Sequence, residues 1–360
     1  MGWLHDGDYY QALVSGEARG WWPNLQRSGL WAASVPYGWV ARLRNRLYDH
    51  GWKTNYRAPI PVVSIGNLTL GGTGKTPCVE YVARFYRDLN LAVAVLSRGY
   101  GSHQGLNDEA LVLQDNLPGI PHLQGPDRVA LARAAVSDRH SEVLVLDDGF
   151  QHRRLARNLD VVLVDATEPW GHDYLFPRGL LRERKAGLHR AGVIALTRCD
   201  QVEAGQRGRL QEAIAHFAPS TPIIQTVHRP RDLVNAHRES AALPILDGRR
   251  VAAFCGVGNP GAFRRTLAGM GLSVVGFRTY RDHHAYSPRD VENLEVWARQ
   301  QAGDGIVLTT QKDLVKLRRL QLGGIELWAL RIQWHVASGR DLFDDKLHAV
   351  LRKDEVSGEW

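Results

Sequence analysis

The sequence predicts an α/β protein: a mostly parallel sheet sandwiched by helices, followed by a second, smaller α/β domain. Two observations predict it. Short apolar, β-rich runs recur at 59–66, 91–97, 142–147, 160–165 and 192–197, separated by helix-length segments. Continuous apolar strands spaced by helices indicate a parallel sheet covered on both faces. After a polar stretch at 229–239 the pattern restarts at 250–255, 272–276 and 305–309, which marks the second domain. We therefore expect three parts: a Trp-rich membrane-associating segment at 1–52, a first α/β domain at 53–228 and a second at 229–360.

The first strand runs into Ser64-Ile-Gly-Asn-Leu-Thr-Leu-Gly-Gly-Thr-Gly-Lys-Thr-Pro77, and a helix is expected over 76–89. A glycine loop between strand and helix, closed by Lys-Thr, is the setting of a phosphate loop. It makes the first domain P-loop NTPase-like. Gly71, Gly72, Thr73 and Gly74 would turn backbone N–H groups toward phosphate oxygens, helped by the positive end of the helix. Lys75 would reach the β- and γ-phosphates and the Thr76 hydroxyl would ligate Mg²⁺. One position departs from the common pattern: Thr69 stands where a glycine five residues before Gly74 is usual.

The 142–147 strand ends in Leu144-Val-Leu-Asp-Asp-Gly-Phe-Gln-His-Arg153. Asp147 and Asp148 resemble a Walker B site for Mg²⁺. Neighbouring side chains on a strand point oppositely, so one carboxylate is expected to face the metal and the other to face away. The 91–97 strand ends in Ser97-Arg-Gly-Tyr-Gly101, followed by Asn107-Asp-Glu109. Ligands of open parallel sheets sit at the carboxyl ends of the strands. There Asp108 could take a proton from an attacking hydroxyl and Arg98 could touch phosphate. In the second domain, Asp282-His-His-Ala-Tyr286 lacks the spacing of a zinc site, but a histidine beside a carboxylate can orient or tune a base.

The bulk numbers narrow the setting. A chain of 360 residues with formal charge +7 fits a phosphate-rich substrate, a nucleic acid or an anionic membrane. Cys78, Cys199 and Cys255 are isolated, which suggests neither zinc nor a disulfide framework and agrees with a reducing compartment. Asp6 and Asp8 stand where a secretory leader would carry basic residues, so none is expected. The uncharged stretch 28–41 is too short to span a bilayer and contains Pro36. Six of the eleven tryptophans fall within the first 52 residues. Over 37–48, Trp39, Val40, Leu43 and Leu47 recur at helical spacing beside Arg42, Arg44 and Arg46. Such a helix packs on its own domain or lies at a lipid interface; the excess of Trp favours the interface.

Taken together, these segments resemble the tetraacyldisaccharide 4′-kinase (lipid A 4′-kinase) family. The resemblance rests on 66–77, 97–101, Asp108-Glu109, Gly125-Pro-Asp-Arg128, 147–153 with Leu155-Ala-Arg157, Pro177-Arg-Gly-Leu-Leu-Arg-Glu183, Phe254-Cys-Gly-Val-Gly-Asn-Pro260, Asp282-His-His284 and Thr310-Gln-Lys-Asp313. These run in family order over roughly 36–335. The resemblance implies ATP and Mg²⁺ as cofactors and the 4′-hydroxyl of an acylated disaccharide phosphate as acceptor. It implies that Asp108 is the base, paired with His283 in preference to His284. Arg128 and Arg182 would lie near the transferred phosphate or the acceptor, and Glu183 near the metal. A peripheral, monotopic position on the cytoplasmic face of the bacterial inner membrane follows, with no nucleic acid as partner; we expect a monomer. Ala110 stands where the family usually has proline after Asp-Glu.

Other P-loop readings fit less well. A partitioning-type ATPase has lysine immediately before the paired glycines, where this chain has Leu70. A GTPase-like regulator would read guanine through Thr197-Arg-Cys-Asp200, with Arg198 in place of lysine. A non-enzymatic nucleotide-binding module is the remaining alternative.

Overall fold

The computed structural model describes residues 7–99 and 107–352. Two helices open the described chain, α1 (Gly7–Ser15) and α2 (Trp21–Asp49). The P-loop region follows as β1 (Val62–Asn67), α3 (Lys75–Asp88) and β2 (Val93–Ser97). Next come α4 (Asp108–Asn116), β3 (His122–Gln124), α5 (Arg128–Ser137), β4 (Val143–Asp147), β5 (Leu159–Asp165) and β6 (Val193–Thr197). The chain continues as α6 (Ala204–Phe217), β7 (Ile223–Val234), β8 (Ser240–Ala241), β9 (Arg250–Cys255), α7 (Pro260–Gly269) and β10 (Ser273–Thr279). It ends with α8 (Pro288–Ala302), β11 (Ile306–Thr310), α9 (Gln311–Leu317), β12 (Gln321–Leu322), β13 (Ile325–Ser338) and α10 (Arg340–Arg352).

These elements form two compact units. One comprises Met1–Arg98, Ile120–Val227 and Val336–Trp360, the other Gly99–Gly119 and His228–His335. The division differs from the contiguous boundaries expected from sequence in two places. Helix α4 groups with the second unit and α10 with the first. The polar stretch at 229–239 is not a linker throughout, because β7 continues to Val234 before the chain turns.

In the first unit, strands run in the order β6-β5-β1-β4-β2-β3, with the start of β7 beside β6, all parallel. Every residue of β1, β2, β4 and β6 is buried, as their unbroken apolar runs require. Ile65 pairs with Asp147 in register, so β1 delivers its loop beside the carboxyl end of β4. Helix α3 packs its Cys78, Val79, Val82 and Tyr86 inward, and the Tyr86 hydroxyl donates to the Leu347 carbonyl of α10 at 2.9 Å. A close approach fixes Gly66: a Cβ there would lie 2.5 Å from the Phe150 Cβ. Gly66→Ala is therefore expected to cost about 1–3 kcal/mol of stability through overpacking. A denaturant titration checks this; an unshifted midpoint would contradict the packing.

In the second unit, β10, β9, β11 and β13 are parallel neighbours, while the short β8 and β12 pair antiparallel with β7 and β13. Phe254, Leu294, Leu314 and Leu327 are central in one of its cores. Helices α4 and α9 pack together in this unit, with Gln311 of α9 bonded to Asn116 of α4 and Lys312 to Glu109.

Candidate active site

The phosphate loop leaves β1 at Asn67, a fully buried residue that organises it. The Asn67 side chain donates to the Thr69 carbonyl (2.8 Å) and to Thr73 Oγ1 (3.0 Å), and its Oδ1 accepts from Lys75 Nζ at 3.3 Å. Gly71 and Gly74 have φ of 111° and 88°, values that L side chains rarely adopt. The loop is zipped along the 177–183 segment: Leu70 N donates to the Leu180 carbonyl and Arg182 N to the Leu68 carbonyl, each at 2.7 Å. Lys75 opens α3 and Thr76 is buried beside it.

Asp147 ends β4 almost fully buried, and Asp148 leaves the strand with φ of 53°. The left-handed turn carries the Asp148 carboxylate to Arg182 Nη1 (2.7 and 2.8 Å) and to within 3.5 Å of Lys75 Nζ. Burial alone would raise the Asp148 carboxyl, but the two cations outweigh it and hold it at about 2. The structure thus brings Lys75, Asp148 and Arg182 into one cluster.

Glu183 sits elsewhere in its chemistry. Its carboxylate accepts from Arg190 Nη2 (2.8 and 2.9 Å), Gln151 Nε2 (2.9 Å) and Asn45 Nδ2 of α2 (2.9 Å). With these donors in place it serves as the anchor that ties α2 and Arg190 to the loop after β4. Arg128, at the start of α5, is buried and turns its guanidinium to the carbonyls of Gly125 (3.2 Å) and Pro126 (3.4 Å). Nearby, burial first and then the Arg128 and Arg157 charges push His152 down to about 4, so its imidazole is neutral at neutral pH.

The second cluster lies wholly within the other unit. Asn107 caps α4 by accepting from Ala110 N at 2.9 Å, which sets Asp108 at the first helical position. His283, held at φ of 58°, places Nδ1 3.0 Å from both Asp108 oxygens. His284 instead pairs with Asp290 (3.2 Å) and stacks on Tyr280. Lys312 of α9 donates to Glu109 at 2.7 Å, and Lys316, one turn later, lies 3.9 Å from Asp108 and 3.2 Å from the fully buried Asp313. Asp313 also accepts from Gly256 N, the Tyr286 hydroxyl and the Thr310 hydroxyl. Burial would raise Asp108; the His283 hydrogen bond and the two lysines outweigh it and keep the carboxylate ionised. The same hydrogen bond raises His283 against its own burial.

Lys316, Arg190 and Asp290 stand outside every sequence motif. Lys316 was findable, because it falls four residues after Lys312 and shares its helix face. Arg190 sits on irregular backbone and carried no periodic signal. Tyr100 and Gly101 of the 97–101 motif lie outside the described residues; Arg98 is exposed at the end of β2.

Thr76 at the start of α3, and Asp147 and Asp148 at the carboxyl end of β4, present oxygen donors. That chemistry suits a hard cation such as Mg²⁺, which takes one or two carboxylates and completes its shell with phosphate and water. Among the described residues no group of three or more His, Cys, Asp or Glu side chains could hold a metal by itself.

Comparisons with known proteins agree with this architecture. The family model described as tetraacyldisaccharide-1-P 4′-kinase matches residues 26–352. A tetraacyldisaccharide 4′-kinase of Anaeromyxobacter sp. (strain Fw109-5) is 39% identical over 352 residues, covering 93% of this chain and 92% of that protein. One of Syntrophus aciditrophicus (strain SB) is 38% identical over 319 residues, covering 82% and 85%. Among solved structures, LpxK from Aquifex aeolicus in complex with ATP superposes with a TM-score of 0.72 at 30% identity, covering 91% of this chain and 99% of that one. With a phosphate loop, a paired-aspartate strand end and a match of this extent, the chain belongs to the tetraacyldisaccharide-1-phosphate 4′-kinase family.

Proposed function

We propose that this protein transfers the γ-phosphate of ATP to the 4′-hydroxyl of a tetraacyldisaccharide 1-phosphate, giving lipid IVA in lipid A biosynthesis. The observation that carries the reading is the cluster at the start of α3, where Lys75 meets Asp148 and Arg182 behind a loop ordered by Asn67. Such a cluster offers fixed positive charge where a transferring phosphoryl group develops negative charge, and it needs no reorganisation to do so. Mg²⁺ would supply further charge neutralisation when bound, with Thr76, Asp147 and Asp148 proposed to hold it and Glu183 to lie near it. Asp108 acts as the base that takes the hydroxyl proton, and His283 keeps its carboxylate ionised and aimed. Arg128 and Arg182 are proposed to serve the phosphate or the acceptor. A partitioning-type or GTPase-type role receives no support from the family match. Acceptor-dependent transfer from ATP, compared with GTP, tests the assignment.

We further propose that the protein works as a monomer at the surface of the cytoplasmic face of the inner membrane, on an acylated substrate that stays in the bilayer. No described helix is long and apolar enough to cross a membrane. Helix α2 supports a surface contact. It turns Ser34, Tyr37, Gly38 and Asn45 toward its own unit, with the Tyr37 hydroxyl donating to the Arg182 carbonyl at 3.0 Å. It leaves Trp31, Trp39, Val40 and Leu43 exposed, Trp39 and Val40 at about 70%. Arg42 and Arg46 are exposed alongside; Arg44 and Leu47 are half-buried and drop out of the proposed face. Lifting an acylated lipid from its bilayer would expose hydrocarbon at about 0.8 kcal/mol per CH₂, and docking avoids this. Each exposed arginine near anionic lipid adds about 1 kcal/mol, screened by salt. Trp39→Ser with Leu43→Ser is expected to abolish most co-sedimentation with anionic liposomes while thermal stability holds. Equal sedimentation of the variant and the parent would move the contact elsewhere.

A further inference from the structure

The carboxyl end of β6 holds a residue pair that neither phosphate chemistry nor the acceptor explains. Thr197 is fully buried, and its Oγ1 donates to the Thr73 carbonyl at 3.0 Å. The next residue, Arg198, has φ of 56° and is 8% exposed. Its Nη2 donates to the Gly72 carbonyl at 2.7 Å, and its Nη1 is ion-paired with the buried Asp165 at the end of β5. Asp165 in turn accepts from the Thr167 backbone N–H (3.0 Å) and hydroxyl (2.7 Å), so the acid is fixed before it fixes the arginine. A guanidinium has donors enough to hold the loop and its anchor together, and its planar fork sets the angle between them.

The consequence follows from peptide geometry. In a trans peptide the C=O and the next N–H point in opposite directions. Holding the Gly72 and Thr73 carbonyls from the β6 side therefore turns two successive peptide planes. It aims the N–H of Gly74 away from β6, at the opening of α3. The Thr73 N–H is used locally in a tight turn with the Gly71 carbonyl at 3.1 Å, so it keeps the loop compact.

We propose that Thr197 and Arg198 are positioning residues that clamp the phosphate loop from behind, and that they set affinity for the triphosphate and not for the acceptor. The inference rests on the reading of Gly71–Thr76 as the ATP loop. It also gives Thr197-Arg-Cys-Asp200 a purpose other than reading a base: its first two residues grip the loop backbone. The left-handed Arg198 backbone is consistent with this, since it bends the chain sharply enough for both side chains to reach neighbouring loop carbonyls.

The test is steady-state kinetics of the full chain with ATP and acceptor varied separately. Arg198→Ala removes a charged donor and is expected to raise the KM for ATP about tenfold to a hundredfold, with the acceptor KM unchanged. Arg198→Lys, which keeps the charge and one donor, should recover much of that loss. Removal of one member of a buried ion pair can unfold a protein. Thr197→Val, which keeps shape and leaves the ion pair intact, therefore probes the same clamp and should raise the ATP KM several-fold. An unchanged ATP KM in a folded Arg198→Ala or Thr197→Val protein would overturn the clamp. So would equal rises in both KM values, the mark of general loosening. Lys75→Ala run in parallel separates the two readings: if it is inactive while the clamp variants are normal, only the clamp fails; if it too is normal, the loop assignment fails.

Discussion

Lys75→Ala is expected to lower turnover at least about 100-fold in a protein that remains folded. The size follows from what the residue does. Its ammonium group lies 3.3 Å from Asn67 Oδ1 and 3.5 Å from Asp148, at the mouth of a loop whose backbone is already fixed. In the proposed role this cation meets the γ-phosphoryl group, and a preorganised donor of this kind supplies roughly two to three orders of magnitude. Folding should survive, because Asp148 keeps its two contacts to Arg182. The measurement is kcat with saturating ATP and acceptor, alongside a thermal melt. Near-normal turnover in a folded variant would remove the phosphate-loop assignment.

Asp108→Asn should lower kcat by roughly 10²–10⁴ while changing the KM for ATP much less, since the amide keeps shape but accepts no proton. His283→Ala should act in the same direction, and the double variant should be little worse than the worse single one, because coupled residues fail together. The pH profile gives an independent check. In the proposed role Asp108 takes a proton only when ionised, so activity should be lost as pH falls through its folded pKa, which is lowered from the ordinary value. Loss of the His283 hydrogen bond removes one of the interactions that oppose burial, so that pKa rises. The acid limb of the His283→Ala profile should therefore shift to higher pH. An unshifted limb would place the base elsewhere. The same pair has a stability signature. Its contribution is present above the unfolded Asp value near 4 and below the unfolded His value near 6.5. It is lost as pH falls through the lowered Asp108 value or rises through the raised His283 value.

Much of this was legible in the sequence because it depends on local pattern. Unbroken apolar runs announced β1, β2, β4, β5 and β6, and the glycine loop with Lys75-Thr76 announced the start of α3. Strand β3 has only three residues, all half-buried, and β7 and β13 break their apolar residues repeatedly with polar ones over 12 and 14 positions. None of these reads as one unbroken apolar strand, so none was visible. The unit boundaries were hidden for a different reason. Whether α4 sides with β2 or with α9 is decided by long-range packing, which no window of sequence contains. Asp148 shows the same limit at the scale of one residue. Its neighbour relation to Asp147 was plain, but its left-handed backbone, and so its partnership with Lys75 and Arg182, came from the turn that Gly149 and Phe150 complete against Ser64 and Gly66. Glu183 shows the same limit: its place in the motif was plain, but its four hydrogen bonds from Asn45, Gln151 and Arg190 come from elements far apart in the chain.

The proposed reaction is phosphoryl transfer from ATP to a lipid-linked sugar hydroxyl. Its most direct measurement uses ATP labelled at the γ-phosphate, the tetraacyldisaccharide 1-phosphate presented in mixed micelles, and Mg²⁺. Label is expected in a bisphosphorylated lipid, dependent on acceptor and Mg²⁺, far greater with ATP than with GTP and lost in Lys75→Ala. Release of free phosphate at the same rate with and without the acceptor, and no labelled lipid, would contradict it.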